Sequence, residues 1–286
     1  MLGAAHGLVA TPPPTSIGRI ISAMAAASLI RDGDTIAVAG GIGDTDGVAA
    51  ALEARFLSRE DSDSKPLGLT LVCPSEQGGS RRHGINHFGH PGLLKRVITG
   101  SWCQPPLFRD LAAANRIEAY ALPQGAVVHM LRASSGRRGG HVTKVGLGTP
   151  ADPRRGGGKL NLRTREDLVQ LVNVAGSDAL LYQALPVDVA LIQGVVCDHA
   201  GNLAVRRQVA MEIHAVASAA RMSGGIVIAQ VERVVASDRM PADAAIIADA
   251  LVDHVVVIDR ADRMWEMFTA PAPLWAGATR PLSLPG

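Results

Sequence analysis

The chain has 286 residues, 47% of them hydrophobic, 19% charged and 3% aromatic, with a formal net charge of +2. That apolar fraction fills the core of one large α/β domain or two small ones, while near-balanced charge and few aromatic rings offer neither a basic face nor a stacking platform for nucleic acid. The three cysteines, Cys73, Cys103 and Cys197, are odd in number and far apart, which argues against a disulfide scaffold or a CxxC zinc site and fits a reducing cytoplasm. No run approaches the roughly 18 apolar residues needed to span a bilayer, and no charged segment followed by a long apolar one opens the chain. The expectation is a cytoplasmic protein with no signal peptide and no membrane contact.

Residues 1–15 end in TPPPT and read as a flexible, polyproline-like lead-in. From Ser16, the residues Ile17, Ile20, Ile21, Met24 and Leu29 recur at helical spacing, with Ser16 suited to the N-cap and Gly33 beyond the end. TIAVA (35–39) is a short buried strand running into GGIGDTDG, and DGVAAALEARF is a second helix with Asp46 suited to its cap. The polar loop SREDSDSK (58–65) precedes the strand LTLVC (69–73). Further strands are expected at KRVITGSW (95–102), RIEAYAL (116–122), VDVALIQ (187–193), GIVIAQVERV (225–234) and VDHVVVI (252–258). Short apolar runs alternating with helices argue for an α/β fold, a mainly parallel sheet with helices on both faces. One stretch differs: LVQLVNVAGSDALLYQAL is two strand-like runs around the turn AGSD, which predicts an antiparallel hairpin insertion. RQVAMEIHAVASAARMSGG is a helix closed by Gly224 or Gly225. There is no internal repeat, so a single domain is expected over 16–260, with a surface tail at 261–286.

Several stretches bear chemistry. In PQGAVVHML, Gln124 sits between a proline and a glycine at a strand-to-helix turn, where an α/β sheet opens its crevice and a helix presents free N–H groups. It fits either a plain turn residue or a neutral hydrogen-bonding group aimed into a site. Glu76, in VCPSEQGG just past a strand end, fits either a nucleophile or base, or a surface turn glutamate. The loop AGGIGDTDG has the spacing Gly41-x-Gly43-x-x-x-Gly47, which is not the GxGxxG of dinucleotide sites; its glycines serve a tight turn or bring backbone close to another ligand. His83, His87 and His90 have a spacing open to a metal, but glycines and a proline interrupt the helix and no carboxylate lies in register. Packing histidines are the better reading, and no metal is expected. SSGRRGGH (134–141) and DPRRGGGK (152–159) are basic and glycine-rich without matching a P-loop; their arginines are either solvated or suited to the phosphates of coenzyme A.

Taken in order, DGDTIAVAGGIGDT, GINHFGHPGLLKRVITGSW, IEAYALPQG, TKVGLGTPADPRRGGGKLN, LPVDVALIQG, DHAGNL and SGGIVIAQVERVV resemble the family I coenzyme A transferases. The likeness is to the α half of the acetate/propionate/3-ketoacid type and runs from about residue 16 to 258. The resemblance implies the CoA-transferase α-domain fold. It also implies ping-pong transfer of coenzyme A between carboxylates through an acyl–glutamyl anhydride and a glutamyl thioester, with no metal or redox cofactor.

In the family the nucleophilic glutamate belongs to the β half. The expected partner is therefore a β subunit in an α2β2 assembly, joined through a large apolar interface that includes the tail with Trp275 and Leu282. By resemblance Gln124 faces the active site, where a neutral amide holds a carboxylate or a developing oxyanion. Gly125 lets the helix N-terminus come close, Gly146 and Gly148 of VGLGT form the opposite wall, and Gly41, Gly43 and Ser75 line the substrate and CoA pocket. Glu76 is expected at the mouth without carrying CoA. Two departures stand out: Thr45 follows Gly41-Ile42-Gly43-Asp44 where relatives often have proline, and SEQGG resembles the S-E-N-G motif of β halves. The alternatives are an acyl-CoA hydrolase or carbon–carbon cleaving enzyme of the same fold, and a non-catalytic stabilising subunit.

Overall fold

A computed structural model describes residues 19–39, 46–58, 65–75, 84–102 and 106–258. In chain order its elements are α1 (Ala23–Ser28), β1 (Thr35–Ala39), α2 (Asp46–Leu57), β2 (Leu69–Cys73), β3 (Leu94–Thr99), α3 (Pro106–Ala113), β4 (Glu118–Ala121) and α4 (Gln124–Ser135). There follow β5 (Gly140–Thr143), β6 (Val169–Val174), β7 (Ser177–Gln183), β8 (Val189–Gln193), β9 (Val196–Asp198), β10 (Leu203–Val205) and α5 (Arg207–Ser223). The last are β11 (Ile226–Val231), β12 (Arg233–Val235), β13 (Ala245–Ile247) and β14 (His254–Val257).

The main sheet has seven strands in the order β14-β11-β8-β1-β2-β3-β4, every neighbouring pair parallel. Period-two alternation sends successive side chains of β1 to opposite layers. Ala37 and Ala39 join the core under α4 and α5, while Ile36 and Val38 join the core under α1, α2 and α3. With both faces covered, the strands read as continuous apolar runs, which is why they were legible. From β1 the chain steps outward through β2, β3 and β4, then returns to the other side of β1 as β8. The strand order therefore reverses beside β1, and the carboxyl ends there open a crevice.

The expected hairpin is β6–β7, turned by Ala175 (φ 49°) and Gly176 (φ 80°). Both central residues take positive φ, as the tight turn that matches strand twist requires. Gly140 and His141, read as loop, instead add β5 to its other edge, making a three-stranded antiparallel sheet. Helix α5 ends where expected, at Gly224 with φ 82°.

Three expectations need correction. The helix read from Ser16 is only Ala23–Ser28, capped by Ser22, whose Oγ accepts from the Ala25 N–H at 3.1 Å. Ile20 instead bridges Val255 of β14, and the Ile21 N–H donates to the Val255 carbonyl at 2.9 Å; two β-branched residues in a row suit a sheet edge better than a helix. GIVIAQVERV is not one strand. It divides into β11 and β12, because β8 turns away at Gly194 and β12 follows it to pair with β9. A four-stranded sheet, β12-β9-β10-β13, results and was not anticipated. A Cβ at Gly194 would lie 2.1 Å from Leu203, so that turn requires glycine.

Among the described residues no helix is long and apolar enough to cross a membrane. The lead-in, the tail with Trp275 and Leu282, Cys103, and the loop containing Gly41 and Gly43 lie outside the described residues.

Candidate active site

The carboxyl ends of β2, β3 and β4 lie side by side. The Gly100 N–H reaches the Cys73 carbonyl at 3.4 Å, and the Leu122 N–H reaches the Thr99 carbonyl at 3.1 Å. Past these ends sit Pro74, Gly100 and Gln124. A Cβ on Gly100 would lie 2.4 Å from the Pro74 carbonyl oxygen and 2.9 Å from both Cα and Cβ of Gln124. The missing side chain of Gly100 is thus what lets the two strand-end turns converge.

Gln124 is the first residue of α4, behind Pro123 (φ −55°, ψ 130°), whose side chain makes no cap hydrogen bond. Proline's fixed φ sets the turn, and two exposed residues, Gln124 and Gly125, follow it at once. A Cβ on Gly125 would meet nothing within 4 Å. The close approach expected at Gly125 is therefore not to another part of the described chain; the space above it is open.

Ser75 and Gln124 meet on a carboxyl that the sequence reading missed, Glu212 of α5, which is 6% exposed. The Ser75 hydroxyl donates to Glu212 Oε1 at 2.6 Å, and the Ser75 backbone N–H and the Gln124 side chain also hydrogen-bond to it. Burial pushes this carboxyl above its ordinary range, and these hydrogen bonds pull it partway back. The signal in the sequence was a lone carboxylate within an apolar stripe. Val209, Ile213, Val216 and Ala220 pack inward at helical spacing, and Glu212 falls among them. Glu76, one residue beyond Ser75, lies outside the described residues.

The VGLGT loop is built differently. Gly146 (φ 95°) leaves room for Tyr182, whose hydroxyl would be 2.3 Å from a Cβ and instead donates to the Val145 carbonyl at 2.9 Å. Gly148 (φ 72°) donates its N–H to Asp152 Oδ2 at 2.9 Å. Asp152 is 1% exposed and also accepts from the Arg154 N–H at 3.0 Å and from its guanidinium at 2.8 and 3.0 Å. The Arg154 guanidinium and the Gly148 N–H hold that carboxyl well below the usual range. Arg154 is further engaged by Asp178 at 3.0 Å, so of the arginines considered for CoA phosphates it is committed to the protein itself.

His87 and His90 both contact one carboxylate, Glu53 of α2, at 2.6 and 2.5 Å. Burial raises the Glu53 pKa, but the two imidazoles outweigh it and the net shift is downward. The carboxylate absent from the local register thus comes from another element. Among the described residues no cluster of histidine, cysteine and carboxylate side chains is arranged to hold a metal ion.

Comparison with known proteins converges. The family model described as coenzyme A transferase matches residues 20–257. The caffeate CoA-transferase of Acetobacterium woodii is 37% identical over 253 residues, covering 87% of this chain and 48% of that protein. One separately encoded subunit of the succinyl-CoA:3-ketoacid coenzyme A transferase from Xanthomonas campestris pv. campestris (strain B100) is 31% identical over 239 residues, covering 82% of this chain and 85% of that one. The solved acyl-CoA transferase YdiF of Escherichia coli O157:H7, in a thioester complex with CoA, superposes with a TM-score of 0.77 at 33% identity over 87% of this chain and 51% of its own. The chain thus spans about half the length of relatives such as the caffeate enzyme and most of the length of the Xanthomonas polypeptide. The matched span takes in both the strand-end cluster and the VGLGT loop, and the chain belongs to the coenzyme A transferase family.

Proposed function

We propose that this chain is the α-type half of an acyl-CoA:carboxylate CoA-transferase, completed by a β-type half that carries the nucleophilic glutamate. The observation that carries the reading is the convergence of Ser75, Gln124 and open space above Gly125 at the carboxyl ends of a CoA-transferase sheet. Support for a β-type partner comes from relatives that are each named as one subunit of their enzyme, which this chain matches over most of their length.

In this reading the partner's glutamate attacks the acyl-CoA carbonyl and expels CoA thiolate, leaving an acyl–glutamyl anhydride. The thiolate then attacks the glutamyl carbonyl and releases the first carboxylate, giving a glutamyl thioester. An incoming carboxylate reverses both steps and leaves as the new acyl-CoA. Gln124 offers neutral amide hydrogen-bonding groups to the acyl oxygen as charge develops on it, without competing as a nucleophile. Gly125, lacking a side chain, leaves the N-terminus of α4 open to the substrate or the partner.

The test is exchange of labelled carboxylate into acyl-CoA by the chain assembled with a β-type half, followed by hydroxylamine trapping and mapping of the modified glutamate. Exchange is expected, with the modification on the β-type half. Modification at Glu76, or full exchange by this chain alone, would place the nucleophile here and overturn the assignment.

A further inference from the structure

Helix α5 is otherwise a packing helix, with Ile213, Val216 and Ala220 buried in the core beneath β1 and β8. A carboxyl at position 212 of such a face is costly to bury, and a methionine there would pack without that cost. Glu212 is nonetheless 6% exposed, and its hydrogen bonds go to two different strand ends. Ser75 supplies its hydroxyl at 2.6 Å and its backbone N–H; the third contact is the side chain of Gln124, an exposed residue standing over a buried one. The Cys73 thiol, also buried, faces the same carboxyl from β2.

An ionised carboxyl only accepts, so it dictates which end of an amide turns toward it. We infer that Glu212 is a positioning residue for the transfer reaction: it binds one N–H of the Gln124 amide and holds Ser75, leaving the second N–H and the carbonyl oxygen of Gln124 fixed toward the open space. An unanchored glutamine at an exposed turn would sample several rotamers and both amide orientations, and only a fraction would meet the acyl oxygen. The inference rests on the CoA-transfer reading above for its catalytic meaning, and on the Ser75–Glu212–Gln124 geometry for the anchoring itself.

The experiment uses the full chain assembled with its β-type half. Glu212→Ala is expected to lower kcat about 100-fold, the scale of a misplaced contact group, with little change in KM. Glu212→Gln, whose amide oxygen still accepts one N–H, is expected to recover most of that loss and serves if the alanine variant does not fold. The double variant Glu212→Ala/Gln124→Ala should be no slower than Gln124→Ala, because residues acting as a unit are not additive. Losses that multiply would overturn the proposal. A readout independent of turnover is the side-chain amide signal of Gln124 in chain labelled with 15N-glutamine, identified by its disappearance in Gln124→Ala. It is expected to be shifted and slow to exchange, and to move to the position of a solvated glutamine in Glu212→Ala and part of the way in Glu212→Gln. A solvated signal in an active wild-type enzyme would sink the anchoring alone. An anchored signal in an assembly that exchanges no acyl groups would sink the transfer reading and leave the anchoring standing.

Discussion

Two buried carboxyls organise the two candidate walls of the site, and they are electrostatic opposites. Glu212 is surrounded by neutral donors drawn from distant strand ends, so burial dominates and its pKa rises. Asp152 is 1% exposed, yet a guanidinium two residues away pulls its pKa down. The lesson is that burial alone does not set a carboxyl's behaviour; the charge of the nearest donor does. The VGLGT wall is locked by a local ion pair, whereas the Gln124 wall is held by neutral hydrogen bonds across the fold.

The comparison breaks most visibly at Gln124. Gln124→Ala in the assembled enzyme is expected to lower kcat by roughly 10- to 1000-fold, as when one preorganised donor is removed, with folding little changed. Turnover within twofold of wild type and assembly intact would return this residue to the role of a plain turn. Next is Gly100→Ala, whose Cβ cannot fit against Pro74 and Gln124. Steady-state kinetics should show kcat reduced by about 10- to 100-fold through displacement of Gln124. Asp152→Asn should act on the other wall. Weakening its hold on Gly148 and Arg154 is expected to raise KM for acyl-CoA more than it lowers kcat, a split read from the same assay.

The pH dependence of thermal stability sharpens the contrast. A raised carboxyl contributes its stability below the unfolded glutamate value of about 4.3 and loses it as pH rises through the folded pKa. Wild type should therefore lose stability relative to Glu212→Gln on going up in pH from there. Asp152 runs the other way: its contribution is present above the unfolded aspartate value of about 3.9 and disappears only as pH falls below that toward its depressed folded pKa. Melting curves of wild type, Glu212→Gln and Asp152→Asn from pH 3 to 8 (about the range these values require) would show the two differences opening in opposite directions. The smallest effect is expected at Gly176→Ala in the β6–β7 turn. Nothing lies within 4 Å of the added Cβ, so only the positive φ is penalised, about 1 kcal/mol with activity unchanged.

What the sequence made legible was whatever depends on neighbours in the chain. TIAVA, LTLVC and VDVALIQ announced buried parallel strands, AGSD announced a hairpin, and P-Q-G announced a strand-to-helix turn at Gln124. The hidden parts depend on partners brought from elsewhere. Glu212 looked like an ordinary helix residue because Ser75 and Gln124, which explain it, are on other elements. Glu53 explains His87 and His90 in the same way. The division of GIVIAQVERV into two sheets follows from where β8 bends, which no property of that segment states. Ile20 and Ile21 carried helical spacing by coincidence; pairing with β14 decided their conformation.

The two walls also differ in when they can form. The Gly148–Asp152 bond closes a separation of 4 residues, whereas the Ser75–Glu212 bond closes one of 137. Closing the longer loop carries the larger entropy loss and needs β8 and α5 already docked beside the earlier strands. During folding the VGLGT turn can assemble as soon as its own residues emerge, while Gln124 stays unanchored until α5 arrives. Competence at this site is thus a property of the finished sheet, and a folding intermediate with every early strand in place would still lack it.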